Sequence, residues 1–365
     1  MSTETKDGET TPSRNVTWWT RTSRWGSVTL LGAVASLVPV LSANPLIYPA
    51  GDHAKGKRLV LIASDHEYRA EETIPALARI LAKHHGFHCT VLFGLNAAGE
   101  IEAGASHIPG LEALADADGM VIFARFLALP PEQMKHIDAY LRRAGPVLGL
   151  RTSTHAFNYP AERKDDPYYR YHFRYGGEDY RSGFGHQVLG QTWVGHYGKN
   201  HIQSTRISLV PSQTKHPILR GVGEMHVQAG GYNAEPSDDW TILTTAQPLM
   251  SMSRDGAPDA SKPPMASEWT RSYRGENGQA GRVFTSLYGA SEDFLDANYR
   301  RMLVNAVYWS LGLEDAISAA STVALVGPYE PNPFGHRQEA RGIKPADYDG
   351  FLSPIPANHN TAKPD

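Results

Sequence analysis

The 365-residue sequence contains a single cysteine, Cys89, which excludes an intramolecular disulfide, an all-cysteine zinc site and an iron–sulfur cluster. Stability must therefore come from core packing, and any metal must be held by histidines and carboxylates. The chain also lacks a surplus of either charge: 35 Lys and Arg stand against 38 Asp and Glu, a net −3. That removes the basic excess with which proteins hold nucleic acid, so no nucleic-acid partner is expected. With 41% hydrophobic residues the chain is too apolar to be disordered, and its length accommodates one large α/β domain or two smaller ones. No apolar stretch reaches the roughly 20 residues of a comfortable membrane span, and no internal repeat is visible.

What is present starts with a polar stretch, Met1 to Asn15, followed by Arg21 and Arg24 and an apolar run from Gly26 to Leu41. A basic flank, a short apolar core and small residues before Asn44-Pro45 follow the grammar of a secretory signal cleaved after Ala43. Residues 1–43 are read as a disordered n-region and signal peptide, with an uncleaved anchor as the alternative. The mature protein is expected outside the cytoplasm, periplasmic or secreted, touching a membrane only if the segment is retained. Neither a twin-arginine pair nor a lipobox cysteine is present.

From Arg58 the pattern alternates. Arg58 to Ser64 is an apolar run of strand length; Glu72 to His85 carries Ile74, Leu77, Ala78, Leu81 and Ala82 at helical spacing and stops at Gly86. Further strands are predicted at His88 to Phe93, Gly119 to Ala124 and Pro146 to Leu150, with a helix from Pro131 to Ala144. Strand, helix, strand at these spacings predicts an α/β fold, a doubly wound, mostly parallel, flavodoxin-like sheet. Residues 159–281 form a loop-rich insertion with short β-like pieces at Ile202 to Val210 and Trp240 to Thr245. A strand at Arg282 to Tyr288 and a helix at Asn298 to Leu311 close the domain, spanning 57–312, and residues 313–365 form an extended, proline-rich tail that frays at its end.

Ligands of open parallel sheets bind beyond the carboxyl ends of the strands. Those ends run here into Asp65-His66-Glu67, into Arg125 and into Arg151-Thr152-Ser153-Thr154-His155. Two arginines, two histidines and two acids at one edge suit an anionic or polyhydroxyl ligand and proton movement. His66 or His155 is the expected general acid/base, Glu67 or Asp65 orients that imidazole, and Arg125 and Arg151 hold the substrate. No glycine-rich phosphate loop follows the first strand, and Asp65 and Glu67 would repel a phosphate there, which argues against a flavin protein. No glycosidase-type carboxylate pair is evident.

The order of Asp65-His66-Glu67, Val147 to Phe157, Val188 to Trp193, His216 to Gly221, Gly281 to Leu287 and Arg300 to Trp309 resembles the ThuA-like (trehalose-utilization) family. The resemblance covers roughly residues 58–313 and implies the class I glutamine amidotransferase-like fold and a link to sugar metabolism. The chain departs from amidotransferases at the elbow after the fourth strand. They carry a cysteine nucleophile there; this chain has Arg151, and Cys89 sits in another strand. Glutamine hydrolysis is thereby excluded, and Ser153, with no Gly-x-Ser-x-Gly setting, is a poor substitute.

Seven of the 16 histidines lie between His155 and His226. His186, His196 and His201, interleaved with Trp193 and Tyr197, could hold a divalent metal, zinc or manganese, although their spacing matches no established ligand motif. Trp193 and neighbouring aromatics could equally stack on a sugar ring or pack the loops. The expectation is an extracytoplasmic enzyme, hydrolase or lyase, acting on a sugar or oxidised sugar by His/acid proton transfer; the alternative is a non-catalytic carbohydrate-binding or accessory protein.

Overall fold

The computed structural model describes residues 45–51, 55–336, 339 and 341–357, all within one compact unit, Leu41–Asp365. The signal or anchor expected at 1–43 and the tail's frayed end lie outside the described residues, none of whose helices is long and apolar enough to cross a membrane.

Ten strands form one sheet: β1 (Leu46–Tyr48), β2 (Arg58–Ser64), β3 (His88–Phe93), β4 (Gly119–Ala124), β5 (Val147–Leu150), β6 (Thr205–Leu209), β7 (Met225–Val227), β8 (Thr241–Pro248), β9 (Met265–Arg274) and β10 (Ala280–Ser286). Their spatial order is β1-β3-β2-β4-β5-β10-β9-β8-β6-β7. Strands β3, β2, β4, β5 and β10 are mutually parallel. The other five pairings are antiparallel, which corrects the expectation of a mostly parallel sheet. The difference arises mainly in the insertion: the β-like pieces expected at Ile202 to Val210 and Trp240 to Thr245 are β6 and β8, and with β7 and β9 they extend the sheet beyond β10. Periodicity missed β9 because its charged Glu268 is fully buried at mid-strand, and β1 and β7, at three residues each, were too short to register.

Alternation along β2 sets the layers. Leu59, Leu61 and Ala63 pack under the helices α1 (Ala70–His85) and α3 (Ala297–Ser310), while Val60 and Ile62 face α2 (Pro131–Arg142) across the other side. Both faces of the parallel strands are thus covered, which explains their continuous apolar runs. Gly86, at φ 71°, ends α1 in the left-handed conformation, its N–H returning to the Ala82 carbonyl and the Phe87 N–H to that of Leu81. The tail packs along α1: Arg79, fully buried, donates to the carbonyls of Ser353 at 2.7 Å and Tyr348 at 3.0 Å.

Candidate functional site

The exits of the parallel strands turn abruptly. Arg69 beyond β2, Phe126 beyond β4 and Arg151 beyond β5 have φ of 62°, 54° and 45°. Non-glycine residues in this region cost about 1–3 kcal/mol each and persist only where the surroundings hold them. At the β5 exit the holder is a π-turn, Gly185–Leu189, packed on the elbow. A Cβ on Gly185 would lie 1.9 Å from the Thr154 carbonyl oxygen, so no other residue fits there.

The elbow therefore keeps a sharp geometry with an arginine where a nucleophile would stand. Arg151 has no exposed surface; it donates to the Leu287 carbonyl at 2.8 Å and stacks on the rings of Tyr68 at 3.9 Å and Tyr232 at 4.4 Å. Burial disfavours its charge, yet Tyr68, Tyr232 and Asp293 more than compensate, and its pKa rises. The expected substrate contact at Arg151 is corrected: the guanidinium is a permanent structural cation beneath the site.

Two further assignments change. Asp65 is 1% exposed and fully used. Its Oδ1 accepts the N–H groups of Glu67, at 2.9 Å, and Tyr68, and its Oδ2 accepts the Thr152 hydroxyl at 2.8 Å. It shapes the β2 exit, and its burial and three hydrogen bonds commit it to structure rather than to proton transfer. His155, also 1% exposed, sits in a cage of Phe126, Phe173, Trp193 and Tyr232, its Nδ1 3.1 Å from the Thr154 hydroxyl. Burial first, then Arg125 and Arg151, push its pKa well below the imidazole range. It is a neutral wall residue, because its ring is enclosed rather than open to a ligand.

What remains at the edge is a compact ionic group. Glu67 Oε2 is paired with the Arg125 guanidinium and lies 3.2 Å from His336 Nε2, while Oε1 is 3.5 Å from the Asn200 amide. Burial raises the Glu67 pKa, but Arg125, His336 and Arg151 outweigh it and hold the carboxyl below its ordinary value. Half-buried His66 lies beside this group, with its ring 5.7 Å from His336 and 6.0 Å from Phe126. Burial and the Arg125 charge lower its pKa despite Asp65 and Glu67, so His66 is neutral at neutral pH. A neutral imidazole next to a fixed carboxylate can take up a proton and release it again.

The insertion histidines divide. His196 belongs to the site's rim: its ring is 5.8 Å from Trp193 and 5.3 Å from Tyr232, and after burial it is Arg151 that lowers its pKa most. His201 stacks on Phe334 at 4.5 Å, and Phe334 packs on Tyr68 at 5.2 Å. His186 lies elsewhere, under the influence of Arg271, Asp239 and Arg181. The expected metal trio is thus corrected; among the described residues no three His, Cys, Asp or Glu side chains come together as a metal-binding group. The loops send their histidines to different neighbours, and proximity in sequence did not become proximity in space.

Sequence reading missed His336 and Asn200. Asn200 bridges the Tyr68 hydroxyl at 2.9 Å and the Gly230 N–H at 3.0 Å. His336 follows Tyr329 and Phe334 in a stretch dominated by prolines and expected to drape over the domain; those two aromatics were the available sign of where it docks.

No family model matches the sequence, and no curated protein matches it. Among solved structures the chain is similar to a protein described as ThuA-like from Bacteroides uniformis, at 12% identity over 70% of this chain and 92% of that chain, with a TM-score of 0.43. A second, described likewise, comes from Parabacteroides merdae, at 14% identity over 80% of this chain and 99% of that one, TM-score 0.40. The glutaminase domain of a Trypanosoma brucei CTPS is similar at 9% identity over 74% and 97%, TM-score 0.35. The structures that this chain is similar to thus include ThuA-like proteins and a glutaminase domain, the family and fold that its ordered motifs resemble.

Proposed function

We propose that the protein is an extracytoplasmic enzyme that acts on a sugar or oxidised sugar derivative by proton transfer, as a hydrolase or lyase, with His66 as general base and Glu67 as its fixed counter-charge. The observation that carries this reading is the neutral, half-buried His66 beside a carboxylate clamped by Arg125, at the strand exits where open α/β sheets bind ligands. Aromatic rings of Phe126 and Trp193 border the same edge, a combination of apolar faces and polar groups that matches a pyranose. Arg125 Nε and Trp193 Nε1 are buried donors without a hydrogen-bond partner among the described residues, which fits an acceptor-rich ligand nearby. The parallel strands, numbered among themselves, run 2-1-3-4-5, and this supports the doubly wound, flavodoxin-like reading of that half. The extracytoplasmic location rests on the signal-like pattern of residues 1–43, and the link to carbohydrate utilization on the motif resemblance.

The full chain, offered a panel of aldoses, disaccharides, uronic acids and aldonolactones, should turn over at least one member. His66→Gln should then lower kcat by about 10²–10⁴-fold while circular dichroism stays unchanged. Saturable binding without turnover across the panel would replace the enzyme by the carbohydrate-binding alternative.

A further inference from the structure

We propose that the C-terminal segment Asn332–His336 is a built part of the site and that His336 is its proton donor, paired with His66 through Glu67; the donor role rests on the enzymatic reading above, the docking does not. The segment is held residue by residue. Asn332 gives its backbone N–H and its side-chain amide to the two oxygens of Glu72, each at 2.9 Å, and its carbonyl accepts from Ser291 Oγ at 2.8 Å. The Pro333 carbonyl accepts from Arg69 Nε at 3.3 Å. Phe334 is 1% exposed and wedged between Tyr68 and His201. The Gly335 N–H reaches the Glu67 carbonyl at 2.7 Å, the shortest of these contacts, and delivers His336 to the Glu67 side chain. A chain of five residues fixed at every position is ordered for a purpose, since each fixed residue costs about 1–2 kcal/mol of backbone entropy.

The arrangement gives two imidazoles distinct tasks. His66 is half-buried, whereas the His336 side chain is 57% exposed and free to exchange protons with water. When protonated, His336 forms an ion pair with Glu67 Oε2. Two imidazolium rings 5.7 Å apart would repel, so charge on one ring disfavours charge on the other. In turnover His66 takes a proton from an attacking water, or from a substrate C–H whose electron pair becomes a double bond, and is left as imidazolium; in either case the C–O bond to the leaving oxygen breaks, and that oxygen takes the Nδ1 proton of His336, which becomes neutral with its Nε2–H still on Glu67. Charge and protons balance, and exchange with water restores the starting state. The charged and titratable groups facing the pair are Asp65, Glu67, Arg125, His155 and His196.

The test uses the full-length protein with ¹⁵N-labelled histidines, wild type and His336→Gln. Removing a like-charged neighbour should move the His66 titration midpoint upward, and Asn332→Ala, which loosens the docking, should move it part of the way. Turnover of the sugar panel by His336→Gln should fall at least tenfold and lose the alkaline limb of its pH profile. An unmoved His66 midpoint overturns the docked segment, and unchanged turnover with a moved midpoint overturns the donor role. If the wild type turns over nothing, the enzymatic reading falls and the donor role with it, while the midpoint alone decides whether the segment belongs to the site.

Discussion

The parallel and antiparallel halves of the sheet put their charged groups to opposite uses. In the parallel half the strands are apolar and ionisable groups gather beyond their ends, at His66, Glu67 and Arg125, where ligand and solvent can reach them. In the antiparallel half the charges that matter are inside. Glu268 on β9 is fully buried and accepts from the hydroxyls of Ser267 at 2.7 Å, Ser286 at 2.9 Å and Thr244. Asp293, beyond the end of parallel strand β10 and also fully buried, spans the boundary: it accepts backbone N–H groups from Gln228 and Ala229 of the insertion and from Gly289 and Ala290. At the parallel exits a few polar groups stay at the edge while Asp65, Arg151 and His155 are enclosed; Glu268 in the antiparallel half is wholly consumed in satisfying the fold. Arg151 joins the two, because its cage takes Tyr68 from the β2 exit and Tyr232 from the insertion.

Replacing that joint should have the largest effect. Arg151→Met removes the cation that offsets Asp293 and empties a contact with both halves, and loss of one partner from a buried charge group costs roughly 3–5 kcal/mol. Urea denaturation should show the midpoint falling accordingly with one cooperative transition. A loss below about 1 kcal/mol would mean that the halves are tied elsewhere, by β10 and β9 pairing alone.

The seam can be probed from the insertion side with Gly185→Ala. The new methyl has nowhere to go beside the Thr154 carbonyl, and overpacking of this kind costs roughly 2–3 kcal/mol. Because the π-turn bears on the elbow, the ¹⁵N signals of His155 should shift while those of His186, on the π-turn itself but facing outward, shift less. Equal perturbation of both would show that the turn moves as a unit and leaves the elbow alone.

How much of this the sequence disclosed follows the same division. The parallel half was legible because its strands are continuous apolar runs and its helices carry a 3.6-residue period; β2, β3 and β4 fall on the predicted boundaries. The antiparallel half was only partly legible. Its strands are half-buried, Glu268 interrupts the pattern of β9, and antiparallel register depends on pairing partners that no local period encodes. For the site, residue type located the edge but not the role. Arg125 and Arg151 are equivalent as letters, yet one pairs with Glu67 at the rim and the other is enclosed by tyrosines. His336 was illegible because its position depends on contacts made 260 residues away, between Asn332 and Glu72.

That long-range docking exposes a pH dependence at the start of α1. Burial pushes Glu71 up to about 8, with Arg69 opposing it, and Glu72 up to about 7, opposed by its bonds to Asn332. A carboxyl raised from 4.5 in this way stabilises the fold fully below pH 4.5, where it is protonated in both states, and loses that contribution as the pH climbs through its folded value. Glu71→Gln keeps the shape and cannot ionise. The stability of the variant relative to wild type should therefore improve between pH 5 and pH 9, by on the order of 1–3 kcal/mol. Parallel pH profiles for the two proteins would show that Glu71 finds a counter-charge as it ionises and that the start of α1 carries no such strain.

The smallest effect is expected at His186, where the antiparallel half was thought to lend a ligand to the site. Its ring is exposed and its electrostatic neighbours are Arg271, Asp239 and Arg181, none of which touches His66, Glu67 or Arg125. Its carbonyl is 3.4 Å from Arg271 Nη1, a backbone contact that survives substitution. His186→Ala should change stability by less than about 0.5 kcal/mol, as surface substitutions do, and leave the His66 midpoint where it is. His196→Ala, at the rim against Trp193 and Tyr232, should by contrast perturb that midpoint. The difference between two histidines ten residues apart measures how sharply the insertion separates its site-facing loop from its structural one. If both variants shift His66 alike, the site extends over the whole insertion and the division between the two halves of the sheet dissolves.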